Sequence, residues 1–138
     1  MILLDTNVLS EPMRSQPSTK VVNWLDEQPV SELYISSITL AEIELGLALL
    51  PDGKRKQALF SAAHEMLKKF SGRCLSFGED EASIYAQILA DSRRKGRTIT
   101  VEDGQIAAVA LSNNLVLATR NVKDFKIINS LKIINPFL

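Results

Sequence analysis

Met1-Ile2-Leu3-Leu4-Asp5-Thr6-Asn7-Val8-Leu9-Ser10-Glu11-Pro12 opens the chain. Ile2 to Leu4 are apolar and run straight into a carboxylate. A short continuous apolar run closed by a turn residue is the pattern of a strand buried on both faces of a parallel sheet. Asp5 then sits at the carboxyl end of that strand, the side on which open α/β sheets bind their ligands. Taken alone, Asp5 fits equally well as a turn-forming residue whose side chain bonds the backbone just beyond it.

Outward from this stretch the pattern repeats. Leu33-Tyr34-Ile35-Ser36, Cys74-Leu75, Leu115-Val116-Leu117-Ala118 and Leu131 to Ile134 read as further strands. Helices are expected between them. Ser18 is a candidate N-cap for a helix carrying Val21, Val22 and Leu25, and Pro29 ends it. Further helices are expected over 39–50, 54–70, 79–95 and 100–113. The second is marked by Leu59, Ala63, Met66 and Phe70 at helical spacing, and the third is stopped by Gly96. Strands alternating with helices predict an α/β fold in three layers, a central parallel sheet flanked by helices. Without repeat, linker or low-complexity tract, residues 1–138 read as a single domain.

Composition narrows the function. The 138 residues are 46% hydrophobic and 23% charged, with 6 Gly and 5 Pro, which excludes a disordered or collagen-like chain. Sixteen basic residues balance 16 acidic ones, so the chain is no general nucleic-acid coat. One cysteine and one histidine exclude an internal disulfide and a Cys/His zinc site. They also disfavour RNA cleavage by a histidine pair. The opening reaches Asp5 too early for a secretory signal, and no apolar run is long enough to span a membrane, so a cytoplasmic protein is expected. Cys74 reads as a small core residue, His64 as a surface residue and Trp24 as a helix packing residue.

Three acids stand out. Besides Asp5, Glu42 lies in Thr39-Leu40-Ala41-Glu42 and Asp103 in Thr100-Val101-Glu102-Asp103, and both stretches fit capping boxes. An α/β sheet, however, brings the end of the first strand and the starts of these two helices to one rim. Carboxylates converging there repel one another, and a divalent cation offsets that repulsion. Mg²⁺ suits so sparse a set, because it prefers a few carboxylates plus waters and substrate phosphates. Such a cation can activate water and hold a phosphoryl oxygen, which is the chemistry of phosphodiester hydrolysis. A phosphatase with an aspartate nucleophile also places an Asp after its first strand. It usually needs a second Asp two residues later, where this chain has Asn7.

Together these motifs resemble the PIN-domain family, in particular VapC-type toxins of toxin–antitoxin pairs and their FitB-like branch. The carriers are residues 1–12, Ser37-Ile38-Thr39-Leu40-Ala41-Glu42, Asp103-Gly104-Gln105-Ile106-Ala107-Ala108 and Ala118-Thr119-Arg120-Asn121. The resemblance implies a Mg²⁺-dependent endoribonuclease, with Mn²⁺ as the other cation of matching chemistry, that leaves 5′-phosphate and 3′-hydroxyl ends. It assigns Asp5, Glu42 and Asp103 to the catalytic site and Asp5 and Asp103 to the metal. Thr6, Thr119 and Asn121 become accessory residues. Many relatives carry a fourth acid at the position of Asn121, and Asp124 lies three residues on. A non-catalytic PIN-like module that binds protein or RNA is the alternative reading.

The resemblance also implies partners: an RNA substrate, a cognate antitoxin, a second copy of the chain, and DNA only through the antitoxin. No membrane partner is expected. The 39–50 helix is apolar on two sides, with Leu40, Ile43, Leu47 and Leu50 on one and Leu45 and Leu49 beside Glu42 on the other. A helix apolar nearly all round is buried or meets a partner, and the resemblance favours a cognate antitoxin whose helix covers Leu45, Leu49 and the acids. The basic clusters Lys54-Arg55-Lys56, Lys68-Lys69 with Arg73, and Arg93-Arg94-Lys95 with Arg97 are candidates for RNA phosphates. Those in last helical turns are also explained by the helix dipole. Arg120, next to the expected site, is the stronger candidate.

Overall fold

A computed structural model describes residues 1–138. The elements are β1 (Ile2–Leu4), α1 (Thr6–Leu9), α2 (Thr19–Glu27), β2 (Leu33–Ser36), α3 (Ser37–Ala48), α4 (Lys54–Lys68), β3 (Cys74–Leu75), α5 (Glu79–Arg94), α6 (Val101–Ser112), β4 (Val116–Ala118), α7 (Val122–Phe125) and β5 (Ile133–Ile134). The strands form one sheet in the order β3-β2-β1-β4-β5, with every pairing parallel. No helix is long and apolar enough to cross a membrane.

Alternation along the strands divides the core in two. Leu3 of β1 and Leu117 of β4 point to one face and pack with Ile88, Ile106, Val109 and Phe125. Their neighbours Leu4 and Ala118 point to the other and pack with Val8, Val21, Ile43 and Ala63. Side chains along a strand alternate faces, so each strand serves both helical layers. The expected three-layer α/β arrangement is the one observed.

Several boundaries move. β2 runs without a break into α3, which therefore starts at Ser37 and not at Thr39. Ser36 is its N-cap, with the Ser36 hydroxyl accepting from the Thr39 N–H at 3.1 Å. The expected Thr39–Glu42 capping box does not form. Half of the second expected box exists, since Thr100 caps α6 through the Asp103 N–H at 3.1 Å. Ser18 caps α2 as expected. Gly96 ends α5 with φ 70°, a left-handed conformation that glycine adopts without strain. Cys74 is exposed and not a core residue, because it lies on the edge strand β3. α1 was not anticipated, as four residues are too few to show a period.

Candidate active site

Parallel register assembles the site. Leu4 pairs with Ala118, so the next residues on the two strands, Asp5 and Thr119, are neighbours past the carboxyl rim of the sheet. The Asp5 N–H donates to the Ala118 carbonyl at 2.9 Å, extending the ladder by one bond. The chain then turns into α1, and Asp5 caps it by accepting from the Thr6 N–H at 2.8 Å. The turn-former reading of Asp5 is therefore observed, and the same turn leaves its carboxylate at the carboxyl rim of the sheet.

The Asp5 carboxylate is 4% exposed and heavily bonded. Beyond the Thr6 N–H it accepts from the Thr119 hydroxyl at 2.7 Å and from the Asn7 amide at 3.4 Å. The Thr119 hydroxyl in turn accepts from the Asn121 N–H at 3.0 Å, and the Asn7 side-chain carbonyl accepts from the Arg120 N–H at 3.2 Å. The loop after β1 and the loop after β4 are thus stitched together around one carboxylate. An ionised carboxylate offers about four acceptor positions, so three bonds leave room for one more partner.

Asp5, Thr6, Asn7, Ser10, Glu42, Asp103 and Asn121 line a single open cavity of about 350 Å³. All three expected acids and two of the three expected accessory residues face it. Thr119 lies behind Asp5, fully buried. The Thr6 hydroxyl donates to Glu42 Oε1 at 2.8 Å and lies 3.1 Å from the Thr39 hydroxyl, which fixes the start of α3 against the end of β1. One expectation needs correction. The three acids share a cavity but do not close into a cage, and no group of three His, Cys, Asp or Glu side chains is gathered tightly enough to hold an ion. The exposed Glu42 is tied to Thr6 and makes no hydrogen bond to the buried Asp5. Asp124 does not line the cavity, whereas Asn121 does.

The electrostatics fit a cation. No Lys or Arg is among the lining residues. Burial raises the pKa of Asp5 above its ordinary value, and the charge of Glu42 adds to that, against the hydrogen bonds from Thr119, Thr6 and Asn7. Asp103 is pushed up to about 6, first by burial and then by the charge of Asp5, with Asp124 and Glu102 adding to it and the Thr100 hydrogen bond opposing. Two carboxylates with raised proton affinity, Asp103 partly through the charge of Asp5, lie in a cavity without a basic residue and form a donor set for a hard divalent cation. Asp5 and Asp103 are the residues that would hold it.

Asn7 and Ser10 were not singled out from the sequence. The signal for Asn7 was its place two residues after Asp5, where a short amide can bond back to the carboxylate. Ser10 gave no signal. Arg120 lines no part of the cavity. Its guanidinium lies 4.8 Å from the centre of the Phe137 ring.

Residues 2–129 match the PIN-domain family model. The chain belongs to the PIN-domain family. It is 48% identical over 126 residues to the toxin FitB of Neisseria gonorrhoeae, covering 91% of each chain. It is 40% identical over 138 residues to the VapC ribonuclease Y4jK of Sinorhizobium fredii, covering 99% of this chain and 98% of the other. The structure of FitAB bound to the IR36 DNA fragment superposes with a TM-score of 0.95 at 44% identity, covering 100% of this chain and 96% of that one. Family, fold and relatives together make this chain a VapC-type nuclease, the toxin of a toxin–antitoxin pair.

Proposed function

We propose that the chain hydrolyses RNA phosphodiester bonds at the Asp5–Glu42–Asp103 cavity with the help of Mg²⁺, or of Mn²⁺, whose ligand chemistry matches. The observation that carries this reading is the pairing of buried Asp5 with Asp103 at the carboxyl rim, without a basic residue in the cavity wall. A divalent cation bound there supplies a Lewis acid for a phosphoryl oxygen and lowers the pKa of water. The protein's own part is positional. Thr119, Asn7 and the Thr6 N–H hold Asp5 in one orientation, and Thr6 holds Glu42 at the opposite wall. Glu42, exposed beside the cavity, is placed to accept a proton from the attacking water. Attack by water, and not by the ribose 2′-hydroxyl, leaves a 5′-phosphate and a 3′-hydroxyl.

Two apolar surfaces suit protein partners. A groove of about 410 Å³ between α2 and α4, lined by Val22, Leu25, Met66 and Phe70, is concave and takes an apolar segment of an antitoxin. The antitoxin's remaining chain reaches the acids, where a basic side chain pairs with them and displaces the cation. The other surface is the outer flank of α3, where Leu45 is 59% and Leu49 75% exposed. Neither leucine is among the residues that line the α2–α4 groove, so this flank is left for a second copy of the chain. The FitAB complex bound to the IR36 DNA fragment is consistent with DNA reached through an antitoxin partner.

Sequencing of RNA 5′ ends after brief expression of the toxin alone tests the reading. New 5′-phosphate ends are expected with the wild type and none with Asp5→Asn. The same ends in both would place the chemistry elsewhere.

A further inference from the structure

The acidic cavity has an extension that the acids do not explain. Thr6, Ser10 and Glu42 line it and also line a trough of about 720 Å³ between α3 and α4. The two spaces therefore adjoin along these three residues and differ in chemistry. Beyond Glu42 the wall carries Arg14 and Arg55, and the floor is aliphatic, formed by residues such as Leu47 and Leu59. Arg55 is exposed, and its side chain takes part in no ion pair. Arg14 is held by one nitrogen to buried Glu11 Oε1 at 3.2 Å, with its side chain 60% exposed. A guanidinium has five donors, so this bond aims Arg14 and leaves most of its donors free.

We propose that Arg14 and Arg55 each hold a backbone phosphate of the RNA where it runs from the acidic cavity along this trough, with the aliphatic floor taking a base. The inference rests on the reading of the cavity as a site of RNA hydrolysis. Four features carry it. A polyanion cut at an acidic site needs cations just outside that site, and in a chain of zero net charge these must be local. Guanidinium groups match phosphate geometry with paired donors. The scissile phosphate must come down to a carboxylate that is 4% exposed, which a splayed single strand can do and a rigid duplex cannot. No aromatic residue lines the trough, so bases pack on aliphatic side chains with little stacking preference.

The test uses the full chain, a fluorescein-labelled oligouridylate and a duplex of equal length. Binding is read by anisotropy in Ca²⁺, and cleavage is read separately in Mg²⁺ on an RNA carrying a mapped site. Arg55→Ala is expected to weaken single-strand binding and raise KM by roughly tenfold, with kcat little changed. The salt dependence should lose roughly 0.7 from its logarithmic slope. Arg55→Lys should keep that slope, and the Mn²⁺ affinity of both variants should match the wild type by calorimetry. The duplex should not compete. Unchanged RNA binding and salt slope in Arg55→Ala and in Arg14→Ala would overturn the track, as would a loss confined to antitoxin binding. Failure of the wild type to cut RNA in any divalent metal would instead strike the hydrolase reading, and the anisotropy result would stand by itself.

Discussion

α3 and α6 are both 12-residue helices, both begin at a carboxyl rim, and each brings one acid to the same cavity. Their surroundings differ sharply. α6 lies under α5 and against the sheet, with Gly104 and Ile106 through Ala110 all buried. Gly104 permits this closeness, since a Cβ there would come within 2.9 Å of both the Leu89 and Tyr85 side chains. α3 buries only Thr39, Ile43 and Leu47 and leaves Leu45 and Leu49 in solvent. Both helices are apolar on more than one side, yet in α6 that character is met inside the domain and in α3 it is not. One acid is thus mounted on the core and the other on a helix with an exposed apolar flank.

The largest consequence concerns activity. Asp103→Asn and Asp5→Asn remove negative charge from the deepest part of the cavity, and cleavage by the purified proteins is expected to fall to background while the fold survives. Glu42→Gln, on the exposed helix, is expected to cost about 10²–10⁴-fold in kcat, the range for loss of a general base, with divalent-metal affinity much less affected. If Glu42→Gln instead abolished metal binding as Asp103→Asn does, the two acids would be equivalent and the contrast between the helices would fail.

Stability should separate the helices as well. Ile106 is 1% exposed, and Ile106→Ala should cost about 2–5 kcal/mol in denaturant unfolding. Leu49→Ala should stay within about 0.5 kcal/mol for the monomer. A large concentration-dependent loss at Leu49 would show that a second copy already covers this flank. Gly104→Ala should fall between the two, at about 1–3 kcal/mol, because the side chains it meets must shift.

Much of this was legible in the sequence. The apolar run ending at Asp5, the strand at 116–118 and the acids at 42 and 103 sufficed for a parallel sheet with a charged rim, since register alone makes Asp5 and Thr119 neighbours. What stayed hidden depended on tertiary placement. A capping-box spacing cannot tell whether Glu42 turns back to its own helix or across to Thr6, 36 residues away. Cys74 looks like core until β3 proves to be an edge. Arg55 and Arg120 look alike in sequence, but one lines the trough beside the acids and the other rests over Phe137. The two-sided apolarity of α3 was visible, but nothing local could say that α6 would be covered and α3 left open.

A smaller effect follows from the charge on α6. The folded protein holds the pKa of Asp103 up at about 6, against an ordinary value of 3.8. The ionised form is therefore disfavoured by folding. The protonated Asp103 is the form that folding favours, so its contribution to stability is complete below roughly pH 4 and is lost as pH rises through about 6. In metal-free protein at pH 7.5, Asp103→Asn should therefore be more stable than wild type by roughly 1–2 kcal/mol, allowing for the screening of a half-buried group. The advantage should vanish near pH 4, and Mg²⁺ should reverse it by stabilising only the wild type. Equal melting of the two proteins at pH 7.5 without metal would mean that Asp103 is not under electrostatic strain.

The finest test shifts the balance between the two sides by adding an acid. Asn121 follows β4 on the Asp5–Asp103 side and lines the cavity, while its backbone N–H is already bound to Thr119. An amide presents one carbonyl oxygen and no charge, whereas a carboxylate presents two oxygens and a full negative charge. Asn121→Asp should therefore tighten Mn²⁺ binding in a calorimetric titration, through the side of the site that the core holds still. Cleavage need not rise with affinity, because a cation held more tightly in the ground state lowers no barrier unless the transition state gains more. Equal affinity and stoichiometry in the two proteins would show that the side chain at 121 does not reach the cation. Asp124, whose charge already acts on Asp103 from outside the cavity lining, would then be the acid to replace next.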